Sequence, residues 1–127
     1  FVFAGAVAAA MSDTFSSEFG GLFDDPRLIT TFEKVDPGTD GAITWQGELA
    51  GISGAALIGT IAFVAFETVS VQGVVIIVVS GIVGMTVDSL LGATLEGRYI
   101  GNQTVNFLAT LVAGCVGGVL GLAPSLV

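Results

Sequence analysis

Asp88 closes a run of residues, 68–87, that carries no formal charge and is dense in valine and isoleucine. The hydrophobic pattern resumes after it, through "SLLGATL", before Glu96 and Arg98 appear. An ionised carboxylate facing hydrocarbon costs on the order of 3 kcal/mol or more. A residue so placed is expected to face the interior of a helix bundle and to have a compensating partner there. Asp13 holds the mirror position. It ends the apolar stretch "FVFAGAVAAAMSD", with Ser16 and Ser17 one turn on and Glu18 just beyond. Asn102 and Asn106 are four residues apart and so share one face of a helix. Three helix ends thus offer oxygen ligands to a common pocket.

The rest of the inventory narrows what these oxygens can do. The chain has no histidine and one cysteine. Histidine catalysis, a Cys/His zinc site and an internal disulfide are therefore excluded within it. Cys115, set among glycines and valines, reads as a small apolar core residue. Any metal would be held by oxygen, which points to Mg²⁺, Ca²⁺ or Mn²⁺. The net charge is -8, from eleven acids against three bases, so no nucleic-acid partner is expected: neutralising phosphates takes clustered Lys and Arg.

The segment from Ser12 to Glu48 is strongly acidic, with Arg27 and Lys34 as its bases. An anionic substrate would be repelled unless cations intervened. Carboxylates that hold Mg²⁺, with the metal bridging to phosphate oxygens, reverse the local sign. On this reading Asp88 is compensated by a divalent cation in a phosphate-handling site, and Lys34 and Arg98 contact phosphates. The blander alternative makes Asp88 structural, paired with Arg98 or capped by Ser and Thr hydroxyls. It also treats Asp24, Asp25, Glu33 and Asp36 as a solvated acidic surface.

The elements that position these groups follow from composition. Of 127 residues, 53% are hydrophobic and 11% charged, against about a quarter charged in soluble domains. With a mean hydropathy of +0.93, a membrane protein is indicated. Charge-free runs at 49–66, at 68–87 and from 99 onward can each cross ~30 Å of hydrocarbon at ~1.5 Å per residue. Backbone in lipid must satisfy its own hydrogen bonds, so helices are expected even where "VVIIVV" would suggest a strand in water.

The expectation is an all-α, multi-pass transmembrane helical bundle forming a single integral membrane domain. About four helices are expected, at roughly 1–19, 48–67, 71–95 and 104–122, with one long polar loop at 20–47. The first reads as the tail of a longer helix, and the chain as a fragment. Gly114 with Gly118, and Gly117 with Gly121, form small-xxx-small faces that suit helix packing or a homo-oligomer.

Alternation of the spans puts Asp13, Glu18, Lys34, Asp40, Glu48, Asp88, Glu96, Arg98, Asn102 and Asn106 at one membrane face. Glu67 is left at the other. Arg27, Lys34 and Arg98 all fall on the first side, which the positive-inside rule makes cytoplasmic.

Four blocks, "AAAMSDTFSSEFG", "PRLITTFEKVDPGTDGAITWQGELAG", "DSLLGATLEGRY" and "NQTVNFLAT", resemble in order and spacing those of the transmembrane protein 19 family, also called domain of unknown function 92. The resemblance covers nearly the whole chain and is to the C-terminal part of that family. The family's plant branch is a phytyl-phosphate kinase, which converts an isoprenyl monophosphate to the diphosphate with a nucleoside triphosphate. The resemblance therefore implies a prenyl-phosphate kinase that uses ATP or CTP as co-substrate and Mg²⁺ as cofactor. It implies Asp13, Glu18 and Asp88 as metal ligands, and Asp13, Asp88 and Lys34 as catalytic. Lys34, Thr39, Asn102 and Asn106 would bind phosphate, joined by Arg98 on the reading of the residues above, and the prenyl tail would lie among the helices.

Two other functions compete. In a cation- or proton-coupled transporter, Asp13 and Asp88 would carry the coupling. It needs a polar path across the membrane, and Thr60 and Ser80 are the polar residues midway. A non-catalytic scaffold would use the glycine faces, but it has no need of carboxylates gathered at helix ends.

Overall fold

The computed structural model describes residues 1–123. Four helices form the bundle: α1 (Val2–Gly20), α2 (Trp45–Ala65), α3 (Val71–Thr94) and α4 (Asn102–Gly121). Between α1 and α2 lie two short strands, β1 (Arg27–Leu28) and β2 (Ala42–Ile43). Helices α2, α3 and α4 are each long and apolar enough to cross a membrane. The architecture is the multi-pass all-α bundle that the charge-free runs imply.

The starts of α2 and α3 are set by hydroxyl caps. Thr44 Oγ1 accepts the Gly47 N–H at 3.1 Å, and Ser70 Oγ accepts the Gly73 N–H at 3.1 Å. Each satisfies a backbone donor that the helix itself cannot. The Thr44 cap is why α2 begins at Trp45, ahead of the expected 48, and it brings Glu48 into the first turn, where a carboxylate suits the helix dipole. Helix α4 begins at Asn102, ahead of the expected 104.

Helices α1 and α3 form the central pair; each also packs against α2 and α4, which flank them. Phe1 meets Gly73 at the start of α3 and Gly117 near the end of α4, while Gly20 meets Gly47 at the start of α2. The chain therefore runs up and down through the bundle. The end of α1, the start of α2, the end of α3 and the start of α4 share one rim.

Size rather than polarity sorts inside from outside. The interior is built from small residues, among them Ala8, Ala9, Ala55, Ala62, Ala109 and Ala113, with Ile76, Ile77 and Met85 between them. Phe63, Val64, Val75, Leu111 and Val119 point outward. Lipid tails are as apolar as leucine, so close backbone approach through small side chains holds such helices together. Hydroxyls along the helices bond back to their own backbone, as Thr60 Oγ1 does to the Ala56 carbonyl at 2.8 Å.

Two expectations need correcting. Cys115 is exposed on the outer face of α4, because Gly114 and Gly117 beside it take the inward positions. The glycine pairs of α4 are occupied within the chain: a Cβ on Gly114 would stand 3.2 Å from the Val2 carbonyl oxygen, and one on Gly117 would stand 2.8 Å from that of Phe1. They pack α4 onto α1, so they do not provide a free face for a second copy.

The segment between α1 and α2 folds back over the shared rim. β1 and β2 pair antiparallel, with Arg27 opposite Ile43 and Leu28 opposite Ala42. The "DPGTDG" stretch closes a turn in which Thr39 donates from N–H and Oγ1 to the Asp36 carbonyl, at 3.2 and 2.7 Å. Gly41 then sits directly on the last turn of α3. Its φ is +74°, and a Cβ there would overlap the backbone nitrogen of Ala93. Gly92 makes the approach mutual, since a Cβ on it would stand 2.9 Å from the Gly41 nitrogen. Only glycine permits both the dihedral and the contact.

Candidate functional site

Asp13 of α1 and Asp88 of α3 come together toward the shared rim, where both line the same two cavities. The register that brings them together is fixed one residue away. Ser12 is fully buried; its hydroxyl donates to the Gly51 carbonyl of α2 at 2.8 Å, with Met85 Sδ of α3 at 3.3 Å. One hydroxyl thus ties three helices together beside the carboxyl pair. Glu96 lies close enough to act on both by its charge. It follows the end of α3, but its side chain folds back, with Oε2 3.5 Å from where a Cβ on Gly92 would be. The two carboxylates at opposite ends of this last stretch are therefore nearer than helical rise alone suggests.

The pair lines two cavities. The larger, about 260 Å³, opens at the rim and is walled by Asp13, Ser16, Asp88, Ser89, Glu96 and Asn102 from the helices, with Thr39, Asp40 and Gly41 from the folded loop. The smaller, about 100 Å³, lies in the seam between α1 and α4 and is lined by Asp13, Thr14, Asp88, Asn106 and Thr110. Asn106 donates from Nδ2 to Asn102 Oδ1 at 3.4 Å, which links the polar residues of the two cavities along one face of α4. A third cavity, about 680 Å³, lies beside the rim cavity and shares Ile43 and Thr44 with it.

Of the residues singled out by sequence, Asp13, Asp88, Thr39, Asn102 and Asn106 are brought together. Lys34, Arg98 and Glu18 are not. Lys34 is exposed and forms an ion pair with Asp25, the ion pair found among the described residues. That contact holds the Asp25 carboxyl below the usual carboxylate range, by hydrogen bonding first and by charge second. Arg98 is exposed and lies over the Tyr99 ring, 5.9 Å from its centroid, so it does not neutralise Asp88. Glu18 is exposed beyond the cavity wall.

Sequence reasoning passed over Ser89 and Thr110, and placed Asp40 at this membrane face without a role. Thr110 had a signal, since it extends the spacing of Asn102 and Asn106 by another four residues. Asp40 depends on how the turn docks, and spacing does not carry that.

The donors fit a hard divalent cation of the Mg²⁺ kind, which keeps several waters and takes one or two carboxylates together with substrate phosphates. Asp13 and Asp88 supply two carboxylates on one cavity wall. Among the described residues no group of three or more acidic or thiol side chains is close enough to hold an ion as a set. Phosphate oxygens would have to complete the shell.

Residues 1–114 match the family described as integral membrane protein DUF92. An uncharacterized membrane protein of Methanocaldococcus jannaschii is 49% identical over 114 residues, covering 88% of this chain and 47% of that protein. Protein PGR of Arabidopsis thaliana is 46% identical over 56 residues, 43% of this chain and 19% of its own length. An uncharacterized membrane protein of Synechocystis is 26% identical over 109 residues, 84% of this chain and 42% of its own. The chain thus spans less than half the length of these curated relatives. No solved structure matches it. On the match to most of its length and the close archaeal relative, the chain belongs to the integral membrane protein family DUF92.

Proposed function

We propose that this protein transfers a phosphoryl group from a nucleoside triphosphate to an isoprenyl monophosphate, with the rim cavity on the cytoplasmic side. The observation that carries this reading is the double exposure of one carboxyl pair. Asp13 and Asp88 face a polar cavity open at the rim and also a seam between two bundle helices. A water-soluble donor and a membrane-held acceptor need such an arrangement, with one reaching the reacting centre from solution and the other from the bilayer.

A phosphate oxygen of the acceptor forms a bond to the γ-phosphorus, and the bond from that phosphorus to the bridging oxygen breaks, releasing the nucleoside diphosphate. This chemistry requires in-line positioning and charge neutralisation and no protein nucleophile. Mg²⁺, held by Asp13 and Asp88, would supply the neutralising charge. Thr39 and Asn102 in the rim cavity are placed to donate hydrogen bonds to the donor's phosphates. Asn106 and Thr110 in the seam serve the acceptor's phosphate. Lys34 and Arg98, outside both cavities, have no part in this scheme.

The test is direct. The protein in nanodiscs is given phytyl or geranylgeranyl monophosphate, Mg²⁺ and ATP or CTP, and the diphosphate is sought by mass spectrometry. Product from either nucleotide supports the reading. Its absence with both, together with uptake driven by a cation gradient in vesicles, would replace it with a coupled transporter.

A further inference from the structure

The third cavity plays no part in the scheme above, and it differs in chemistry from the other two. Its walls carry Trp45 and Phe32, which are 70% and 63% exposed, so their rings lie open. Asp24 and Glu48 add hydrogen-bond acceptors to the same wall. The two opposite charges nearby are already engaged: Asp25 is paired with Lys34, and Arg27 donates from its guanidinium to the Phe32 carbonyl at 2.9 Å. A volume of about 680 Å³ falls within the ~300–1,000 Å³ typical of small-molecule sites.

We infer that this cavity holds the nucleoside end of the triphosphate donor, a reading that rests on the phosphoryl transfer proposed above. The ligand it favours is flat, aromatic and uncharged, and rich in donors. Rings that lie open stack on a base, and free carboxylates accept from ribose hydroxyls or an exocyclic amino group. An anionic lipid headgroup is disfavoured by Asp24 and Glu48. Continuity supplies the direction: Ile43 and Thr44 wall both this cavity and the carboxyl-lined one, so a nucleotide seated here extends its phosphates toward Asp13 and Asp88. The acceptors Asp24 and Glu48 on a largely apolar wall suit adenine and cytosine alike, since both carry an amino group.

Trp45 is the single tryptophan of the chain, and it provides the probe. The emission of the protein in nanodiscs, minus that of Trp45→Phe, isolates it. Titration with ATP, CTP, adenosine and cytidine is expected to quench that emission saturably, with the nucleosides sufficing without Mg²⁺. Asp24→Asn should shift the midpoint upward several-fold while the fold, read by helical circular dichroism, is unchanged. Emission unmoved by all four compounds overturns the inference. Quenching by lipids brominated along their chains would then identify Trp45 as a membrane-interface anchor. The two readings fail separately. Saturable quenching without diphosphate formation leaves the nucleoside site standing and removes the kinase. Diphosphate formation with unmoved Trp45 emission and an unchanged nucleotide KM in Phe32→Ala does the reverse.

Discussion

Asp13 of α1 and Asp88 of α3, on two parallel helices in contact, line both the rim cavity and the seam cavity, with Glu96 on the wall of the first. Two carboxylates on one cavity wall repel each other unless a proton or a cation lies between them. The amides of Asp13→Asn and Asp88→Asn keep the size and polarity of the side chains but cannot serve as anionic ligands. Each variant is expected to fold, and each to lower diphosphate formation by about a hundred-fold or more, the scale of losing a group that neutralises transferring phosphate. Glu67→Gln, at the opposite end of the bundle, should leave the rate unchanged. Turnover assays alongside thermal unfolding separate lost chemistry from lost structure.

Gly41 is where the folded loop touches the bundle, and it offers a second test. Gly41→Ala meets both a φ of +74° and the backbone of Ala93, so the loop must lift or strain, at a cost of order 1–3 kcal/mol or more. Gly38→Ala meets a φ of +84° with nothing within 4 Å, so only the dihedral cost of about 1–2 kcal/mol remains. Limited proteolysis between α1 and α2 should be markedly faster in Gly41→Ala than in Gly38→Ala. The nucleotide KM should rise in the former only.

These glycines mark where the sequence stops being legible. The four helices could be read because lipid leaves the backbone no other solution, and charge-free runs of adequate length announce them. Asp13, Asp88 and the Asn102–Asn106 stripe could be read because a polar group near hydrocarbon demands a reason. The facing of each helix could not be read from polarity, because the helices are apolar all round. Cys115 was placed inside on that account, although Gly114 and Gly117 hold the inward positions. Nor could the course of the loop be read, since it depends on the fit of Gly41 against Gly92 and Ala93. The resemblance implies a catalytic Lys34, and its partner in the fold, Asp25 in the same loop, is not a pairing that spacing announces.

Ser12 gives a measure of how the register beside the site is held. Ser12→Ala removes a buried hydrogen bond to the Gly51 carbonyl and should cost about 0.5–1.5 kcal/mol. Gly84→Val is more damaging: a Cβ there already overlaps Ala9 and stands 3.0 Å from Ala113, so α3 is forced away from α1 and α4 together. Overpacking of this kind costs typically 1–3 kcal/mol or more. Thermal midpoints in detergent should fall in that order, and Ser12→Ala should retain most of its activity.

The Asp25–Lys34 pair predicts a pH response confined to the loop. The Asp25 pKa is lowered in the fold, so the contact is fully present above the ordinary carboxylate range. It is lost as pH falls through the lowered value. The amide of Val35, which donates to the Pro26 carbonyl at 3.0 Å, should report this by NMR, with a midpoint below the usual Asp value of about 3.9. In Lys34→Met the midpoint should move up toward that usual value, with the weaker pull of Arg27 remaining. The same variant should leave diphosphate formation near neutral pH within about two-fold, since an exposed pair contributes little elsewhere.

Cys115 closes the comparison of inside with outside. A thiol on the outer face of α4 within hydrocarbon lies where a charged, water-soluble reagent does not reach. A charged, water-soluble maleimide should therefore leave it unlabelled in nanodiscs and label it once the protein is unfolded in detergent. Cys115→Leu should be accepted with little change in thermal midpoint, because the added bulk meets lipid tails and displaces no neighbouring helix. A large destabilisation by Cys115→Leu, matching that of Gly84→Val, would instead mean that this face of α4 is packed against protein.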